Sequence, residues 1–284
     1  MTRAAEPLPF RRVAIAGLGL IGGSIAARLR RSAPAVRITG VDTRPVLERA
    51  RARGLVDDVC ETVHELDADL VVLAAPIDAT LQLMAQLAGS RATAPLVTDT
   101  CSIKRQVMTG AAGVPRFIGG HPMAGKEQSG LDHADADLFA GRPWLLVAAN
   151  QESDDAQAVA AIVEALGAIP LFVDAAWHDR VMAYVSHLPQ LLAVALMNAA
   201  GEACGEQGLA IAGRAFREMT RVASSPPDLW DGILRGNADN VRAALDALRA
   251  QLPPARPDAA ALHDSFARAR GWRTQLPSRP GPAS

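Results

Sequence analysis

A histidine held in a glycine-rich stretch is the first residue of this chain that could do chemistry. Residues 119–127 read GGHPMAGKE, so His121 follows two glycines and precedes Pro122. The glycines allow backbone shapes closed to other residues, and the proline fixes the chain. A short apolar run before them predicts a strand that ends in a loop carrying His121, and ligands bind beyond strand ends in open α/β sheets. Because imidazole titrates near neutral pH, His121 could accept a proton there. Taken alone, the motif also fits a turn with a surface histidine.

A second group of residues has the spacing of a dinucleotide site. Gly17, Gly19 and Gly22 form a G-x-G-x-x-G loop between a predicted strand at 12–16 and a predicted helix at 25–31. In such a loop the first glycine makes the tight turn, the second admits the pyrophosphate, and the third lets the helix pack on the strand. The N–H groups and partial positive charge at the helix start then face the phosphates. The sequence therefore predicts a dinucleotide cofactor.

An acidic residue indicates which dinucleotide is bound. Asp42 ends the second predicted strand, twenty residues beyond Gly22, at the distance where a carboxylate accepts the ribose hydroxyls. Its charge would repel a 2′-phosphate and favours NAD, although Arg44 could accommodate that phosphate of NADP unless it is a solvated helix-start residue. Pro76 is placed where a loop would pass near the nicotinamide. The predicted cofactor contacts are Gly17, Gly19, Leu20, Ile21, Gly22, Asp42, Arg44 and Pro76.

The elements that position these residues alternate between strand and helix. Apolar runs at 69–75 and 96–100 predict parallel strands covered on both faces. Ser102 follows the second of these strands, at the same rim as His121, where it could also cap the next helix. A strand at 144–148, a helix at 153–166 and a strand at 169–173 complete a Rossmann-type, doubly wound, mostly parallel sheet.

Beyond residue 174 the pattern is purely helical. Apolar residues recur at helical spacing over 188–199 and 241–252, and 258–275 predicts a last helix. We therefore divide the chain into a Rossmann domain at 1–174, a helical domain at 175–276 and a disordered tail at 277–284. Read in isolation, His178 and His187 fit core or surface positions, and Arg221 fits a surface ion pair.

The composition excludes several classes of function. Of 284 residues, 49% are hydrophobic and 21% charged, and the net charge of -1 argues against nucleic acid or an anionic membrane as the main partner. Cys60, Cys101 and Cys204 are widely spaced, which predicts a reducing compartment with neither disulfides nor a metal site. The N-terminus has no signal-peptide core, and the longest apolar runs fall short of a membrane span. We expect a soluble, cytoplasmic protein.

Together the motifs resemble those of the prephenate/arogenate (cyclohexadienyl) dehydrogenase family of tyrosine biosynthesis. The matching stretches, in the family's order, are 17–24, 98–104, 119–130, 186–189 and 216–226, with Trp230. The patterns GGHPMAG…SG and FREMTR…SSPP are the most specific. The resemblance implies a Rossmann domain followed by a helical domain that usually forms an intertwined homodimer. It also implies NAD-dependent oxidative decarboxylation of prephenate to 4-hydroxyphenylpyruvate.

The resemblance further implies roles for individual residues. His121 matches the catalytic histidine, which takes the C4 hydroxyl proton as hydride leaves for the nicotinamide and CO2 is lost. Ser102 matches a serine that hydrogen-bonds that hydroxyl or the histidine. Arg221 matches the arginine whose guanidinium fork holds the ring carboxylate. Further matches are His187 and His178 near the site and Glu127 at the pocket entrance.

Two positions bear on the choice of substrate. Lys126 stands where many members have threonine or serine, and its charge could attract a dianionic substrate or simply point to solvent. Gln190 occupies a variable position that faces the substrate's side chain, where a carboxylate would favour the amino group of arogenate. A neutral amide suits the keto acid better. We therefore expect prephenate, with arogenate or dual specificity as the alternatives.

Two rival functions share parts of the pattern. β-Hydroxyacid dehydrogenases and imine reductases have a similar architecture, but the hydroxyacid enzymes generally carry a catalytic lysine on the first helix of the second domain. Residues 190–198 contain no lysine. A non-catalytic redox sensor that binds NAD would need only the glycine loop and Asp42. Such a sensor gives no reason for Ser102, His121 and Arg221 to converge.

Overall fold

An eight-stranded sheet forms the centre of the computed structural model, which describes residues 8–64, 66–88, 94–126, 128–252, 254, 256 and 258–276. The strands are β1 (Arg12–Ala16), β2 (Arg37–Val41), β3 (Asp58–Cys60), β4 (Leu70–Leu73), β5 (Leu96–Asp99), β6 (Phe117–Pro122), β7 (Pro143–Val147) and β8 (Ile169–Phe172). Their spatial order is β3-β2-β1-β4-β5-β6-β7-β8. The first six are parallel, whereas β7 runs antiparallel to β6 and parallel to β8. The carboxyl ends of β1 to β6 therefore meet at one rim.

Helices cover both faces of this sheet and then continue alone. They are α1 (Leu20–Ser32), α2 (Arg44–Ala52), α3 (Ile77–Leu87), α4 (Arg105–Gly110), α5 (Asp154–Ala165), α6 (Ala175–Met182), α7 (Leu188–Ala210), α8 (Arg214–Thr220), α9 (Pro227–Gly236), α10 (Ala238–Gln251) and α11 (Ala259–Arg273). Among the described residues, every regular element after β8 is helical.

The strand sequences explain why the sheet is buried between two layers. In β1, Val13 and Ile15 join the core under α1 and α5, while Ala14 and Ala16 face the opposite core under α3 and α4. All four residues of β4 are buried, as a parallel strand covered on both faces requires. β1 and β4 pair with one another at the centre of the sheet, where both faces are covered.

The helical part has a much smaller core of its own. Its buried apolar residues are Ala183, Leu188, Val241 and Ala244. Of the 23 residues of α7, all described, Leu188, Gln190 and Ala193 are buried, and apolar side chains such as Leu192 are exposed. Every residue of α11, also fully described, is at least partly exposed. Much apolar surface of these helices is thus uncovered by their own chain.

A helical stretch runs from α6 through a π-helical segment, Ala183–His187, into α7, which is kinked at Gly205, where the backbone leaves helical geometry. This stretch, Ala175–Ala210, is long and apolar enough to cross a membrane by length and composition alone. The sequence analysis, which considered uninterrupted apolar runs, did not detect this stretch, because polar residues divide it into shorter runs. Three of those residues, His178, Asp179 and His187, are buried and hydrogen-bonded inside the protein, which ties the first half of the stretch to the protein interior.

The predicted fold class, a Rossmann-type, doubly wound, mostly parallel sheet followed by helices, is confirmed. The proposed domain limits at 174 and 276 stay a prediction, and residues 277–284 lie outside the described residues. One prediction was wrong in an informative way. His121 does not lie on a loop, because β6 extends to Pro122 and pairs His121 with Leu145 of β7.

Candidate active site

The glycine loop after β1 has two glycines that the fold requires and one that faces open space. Gly17 has φ +94°, and a Cβ there would lie 2.6 Å from the Ala74 carbonyl oxygen. A Cβ on Gly22 would lie 1.9 Å from the carbonyl oxygen of Gly17. No described atom lies within 4 Å of a Cβ built on Gly19. The open side at Gly19 is what a pyrophosphate approaching the backbone needs.

The start of α1 and the end of β2 complete this cradle. Within the described chain no side chain caps α1, so the amides of its first turn, including those of Leu20 and Ile21, remain for a ligand. Asp42 accepts the Leu18 N–H at 2.7 Å on one oxygen and the Thr43 N–H at 2.7 Å on the other. Its carboxylate is thereby fixed beside the loop, and a dinucleotide fits the residues present.

The two other predicted cofactor contacts lie at the edge of this cradle. Arg44 is exposed and pairs with Glu48 at 3.2 Å, one helical turn later. This geometry favours the interpretation of Arg44 as a solvated helix-start residue. Pro76 is exposed at the start of α3, just after β4, on the same rim as the glycine loop.

Three side chains form a hydrogen-bonded row that begins at the predicted catalytic histidine. His121 Nδ1 lies 2.8 Å from His178 Nε2, and His178 Nδ1 lies 2.8 Å from Asp179 Oδ1. His121 is 8% exposed, while His178 and Asp179 are fully buried. The row joins β6 of the sheet to α6 of the helical part.

The same aspartate also holds the loop that carries Ser102. Asp179 accepts the backbone N–H of Lys104 at 2.6 Å and that of Arg105 at 2.9 Å. Ser102 is therefore not the cap of α4, which begins three residues later at Arg105. A carboxylate from another part of the chain performs that task. The Ser102 hydroxyl is half-buried at the rim beyond β5.

Burial sets the protonation of this row. Desolvation lowers the pKa of His121 well below its usual range, and electrostatic interactions with His178, Lys104 and His187 lower it further. Burial alone would raise the pKa of Asp179, but the hydrogen bonds from His178 and from the amides of Arg105 and Lys104 bring it below its usual range. At neutral pH His121 is therefore a neutral imidazole and Asp179 a carboxylate.

A buried ion pair, which the sequence analysis did not predict, holds the backbone next to His121. Lys104 Nζ lies 2.5 Å from Asp99 Oδ2 and 2.6 Å from the carbonyl oxygen of Gly120, and both charged side chains are fully buried. Asp99 also accepts the Gly120 N–H at 2.9 Å. Both backbone groups of the residue before His121 are thus held by this pair. The sequence signal for this pair is the acidic and the basic residue of the TDTCSIK stretch, Asp99 and Lys104, which lie five positions apart.

The helical part contributes a second buried histidine. His187 is 1% exposed, and its Nδ1 lies 3.3 Å from the Asn237 side-chain nitrogen, which also donates to the Asp179 carbonyl. Because that amide nitrogen donates, Nδ1 accepts and Nε2 carries the proton. Nε2 is buried and has no hydrogen-bond partner among the described residues. Burial lowers the pKa of His187 to about 4, with Asp179 opposing and His178 reinforcing the shift.

The remaining predicted substrate residues differ in burial. Gln190 is buried and donates from Nε2 to the Val222 carbonyl at 2.9 Å, which ties the start of α7 to the turn that begins at Arg221. Arg221 is exposed. Lys126 pairs with Asp135 at 3.0 Å at the surface. Glu127 lies outside the described residues.

The structure therefore brings some predicted residues together and leaves others at the periphery. His121, His178 and His187 form one buried cluster. Sequence reasoning missed Asp99, Lys104, Asp179 and Asn237, although Asp179 directly follows the predicted His178. Among the described residues, no group of three or more His, Cys, Asp or Glu side chains is arranged to hold a metal ion.

Comparison with known protein families matches most of the described chain. Residues 25–170 match the family described as prephenate dehydrogenase, nucleotide-binding domain, and residues 174–257 match prephenate dehydrogenase, dimerization domain. The first match covers most of the sheet, and the second covers α6 to α10.

Individual proteins agree with these matches. A prephenate dehydrogenase from Lactococcus lactis is 34% identical over 239 residues, which cover 81% of this chain and 66% of that protein. A cyclohexadienyl dehydrogenase from Zymomonas mobilis is 34% identical over 262 residues, covering 87% of this chain and 88% of that protein. The crystal structure of prephenate dehydrogenase from Aquifex aeolicus, in complex with hydroxyphenyl propionate and NAD+, superposes with a TM-score of 0.80 at 27% identity, covering 95% of each chain.

Proposed function

The chain belongs to the prephenate dehydrogenase family, and on this basis we propose that it converts prephenate to 4-hydroxyphenylpyruvate with loss of CO2. Bound NAD supplies the hydride acceptor. The open backbone at Gly19 and the uncapped start of α1 would hold its pyrophosphate, and Asp42 its ribose. The observation that carries the proposal is the neutral, buried imidazole of His121 at the rim shared with this cradle.

His121 acts as the general base in this mechanism. The C4 hydroxyl of prephenate gives its proton to Nε2 of His121 as hydride leaves C4, and the O–H electrons form the carbonyl. Loss of CO2 then leaves a phenolate, which takes the proton back, so His121 ends neutral and no net proton is released. Ser102, at the end of the neighbouring strand β5, would hydrogen-bond the same hydroxyl or the imidazole.

Cationic and polar groups of the helical part would orient the substrate. Arg221 is assigned to the ring carboxylate, because a guanidinium fork fits two carboxylate oxygens. His187 offers a buried Nε2–H without a described partner, which suits a substrate oxygen. Gln190 presents a neutral side chain near the start of α7, which favours prephenate over arogenate. Lys126 at the surface and Glu127 are assigned to the pocket entrance.

We also infer that two copies of the chain associate through the helical part. The support is the exposed apolar surface of α7 and α11, together with the match of residues 174–257 to a dimerization domain. A partner would cover that surface, which explains a membrane-like composition in Ala175–Ala210 without a membrane. The three cysteines are free thiols, which fits a cytoplasmic location.

The proposal is tested by following NADH absorbance after adding prephenate, arogenate or a 3-hydroxy acid separately. We expect the strongest signal with prephenate, and His121→Asn should lower kcat by roughly 10²–10⁴. His133→Asn, at an exposed histidine, is the matched control and should leave kcat unchanged. Tight NAD binding without turnover of any substrate would support the redox sensor instead. A larger kcat/KM for arogenate would reassign the substrate.

A further inference from the structure

The carboxylate of Asp179 is connected through hydrogen bonds to His121 and to the loop that carries Ser102. One route runs through His178 to His121, with successive distances of 2.8 Å and 2.8 Å. The other runs through the amides of Lys104 and Arg105, at 2.6 and 2.9 Å, to the loop that carries Ser102. A single residue of α6 therefore fixes groups at two strand ends. A role as a simple helix cap would explain only the second route.

The first route determines which nitrogen of each ring carries a proton. An ionised carboxylate can only accept, so His178 must donate to Asp179 from Nδ1. If the proton on Nδ1 is the only one on the ring, the lone pair of His178 lies on Nε2, the atom that faces His121 Nδ1. His121 must in turn donate from Nδ1, and its own lone pair lies on Nε2. Each hydrogen bond fixes the tautomer of the next ring.

We propose that Asp179 and His178 are positioning residues that hold His121 in its Nδ1–H tautomer, with Nε2 free to accept the substrate's hydroxyl proton. This inference rests on the proposed function, in which His121 is the base. When the O–H bond breaks and the Nε2–H bond forms, the new imidazolium keeps donating to His178. His178 and the Asp179 carboxylate then stabilise the positive charge, as the aspartate does in a Ser-His-Asp triad.

The other charged groups around His121 do not supply this stabilisation. Lys104 is cationic, and its charge is balanced by Asp99 behind Gly120. His187 comes from the π-helical segment and is neutral. The described groups that interact electrostatically with His121 are His178, Lys104 and His187. Of these three, His178 alone contacts His121 with one ring nitrogen and a carboxylate, that of Asp179, with the other. Losing His178 therefore leaves an imidazolium at position 121 without a hydrogen-bonded connection to the Asp179 carboxylate.

His178→Phe separates this role from helix capping, because it removes the ring nitrogens and leaves Asp179 to cap α4. We expect kcat to fall by roughly 10²-fold, less than the about 10⁴ lost when a triad aspartate is neutralised, with KM for NAD unchanged. His178→Gln should recover part of kcat, since its amide oxygen can accept the same Nδ1–H. Asp239→Asn removes another carboxylate partner of Arg105 without touching the row, and should leave kcat unchanged.

The tautomer itself can be read without turnover. In protein labelled with ¹⁵N-histidine, with the His121 signals identified by their loss in His121→Asn, we expect a protonated Nδ1 and an unprotonated Nε2. A protonated Nε2, or full kcat in a folded His178→Phe variant, would overturn the positioning role. If His121→Asn itself kept full kcat, the proposed function would fail instead. The two failures are thereby distinguishable.

Discussion

Replacing Lys104 with methionine should destabilise the protein by about 3–5 kcal/mol, the cost of removing one partner from a buried ion pair. The methionine fills a similar volume but carries no charge. Asp99, which is fully buried, would keep its hydrogen bonds from the amides of Gly120 and Cys101 but lose the ammonium 2.5 Å away. The carbonyl of Gly120 would lose its 2.6 Å donor as well. Most of the lost stability comes from the carboxylate of Asp99, which is left buried without a counter-charge.

The measurement is guanidinium-induced unfolding followed by tryptophan fluorescence, with all variants at one protein concentration because association of copies adds stability. Lys126→Met is the matched control, since Lys126 pairs with Asp135 at the surface and exposed pairs contribute about 0–1 kcal/mol. If Lys104→Met cost no more than Lys126→Met, the pair would not be buried as described.

A double variant refines this test. In Asp99→Asn/Lys104→Met the side chain at position 99 is neutral and keeps an oxygen that can accept a backbone N–H. We therefore expect the double variant to be more stable than Lys104→Met alone, a non-additivity typical of residues in contact. Simple additivity would show that the charge of Asp99 is already compensated elsewhere.

Three further predictions concern the cofactor, the substrate and pH. Gly19→Ala should fold normally yet raise the dissociation constant for NAD, measured by calorimetry. Gly22→Ala should instead fail to fold stably, because its Cβ would lie 1.9 Å from a carbonyl oxygen. If Gly19→Ala bound NAD with unchanged affinity, the backbone at Gly19 would not be part of the cofactor site. Arg221→Ala should raise KM for prephenate by roughly 10–100-fold, because a charge-assisted hydrogen bond is lost, and KM for NAD should not change. An unchanged KM for prephenate would show that another residue binds its ring carboxylate. The free energy of unfolding should fall as pH drops from about 6.5 towards 4, because there the unfolded chain protonates His187 while the folded pKa is about 4. The share of that change due to His187 is on the order of 3 kcal/mol. His187→Gln should remove this share in urea titrations, while His121, whose pKa is also lowered, keeps contributing.

The parts of the fold that depend on neighbouring residues were predictable from the sequence. The glycine loop and Asp42 follow one another within one strand–helix–strand unit, so their spacing alone indicates a dinucleotide cradle. The helix after Ser153 was placed correctly because its apolar residues recur at helical spacing. In the structure the side chains of Ser153 and Asp258 cap the helices that follow them. Continuous apolar runs identified β4 and β5 for the same local reason.

The parts that depend on distant pairing were not predictable. The strand at His121 extends to Pro122 only because β7, more than twenty residues later, supplies an antiparallel partner. Asp179 caps a helix that lies 75 residues earlier, and no local pattern encodes such a contact. Lys104 was overlooked because lysines rarely lie fully buried, and β3 spans three residues, too few to show a period.

The reversal of chain direction between β6 and β7 limits how this rim can evolve. The loop that leaves the carboxyl end of β7 emerges at the border of the sheet opposite to the carboxyl ends of β1 to β6. The chain that leaves β8 instead enters α6 and returns to the site, where His178 contacts His121. New specificity on that flank can only come from the chain entering β7 or from the helices. The helical part thus borders the substrate site on the side where a longer parallel sheet would have supplied further loops. Changes in its sequence should therefore alter substrate choice and leave dinucleotide binding unchanged.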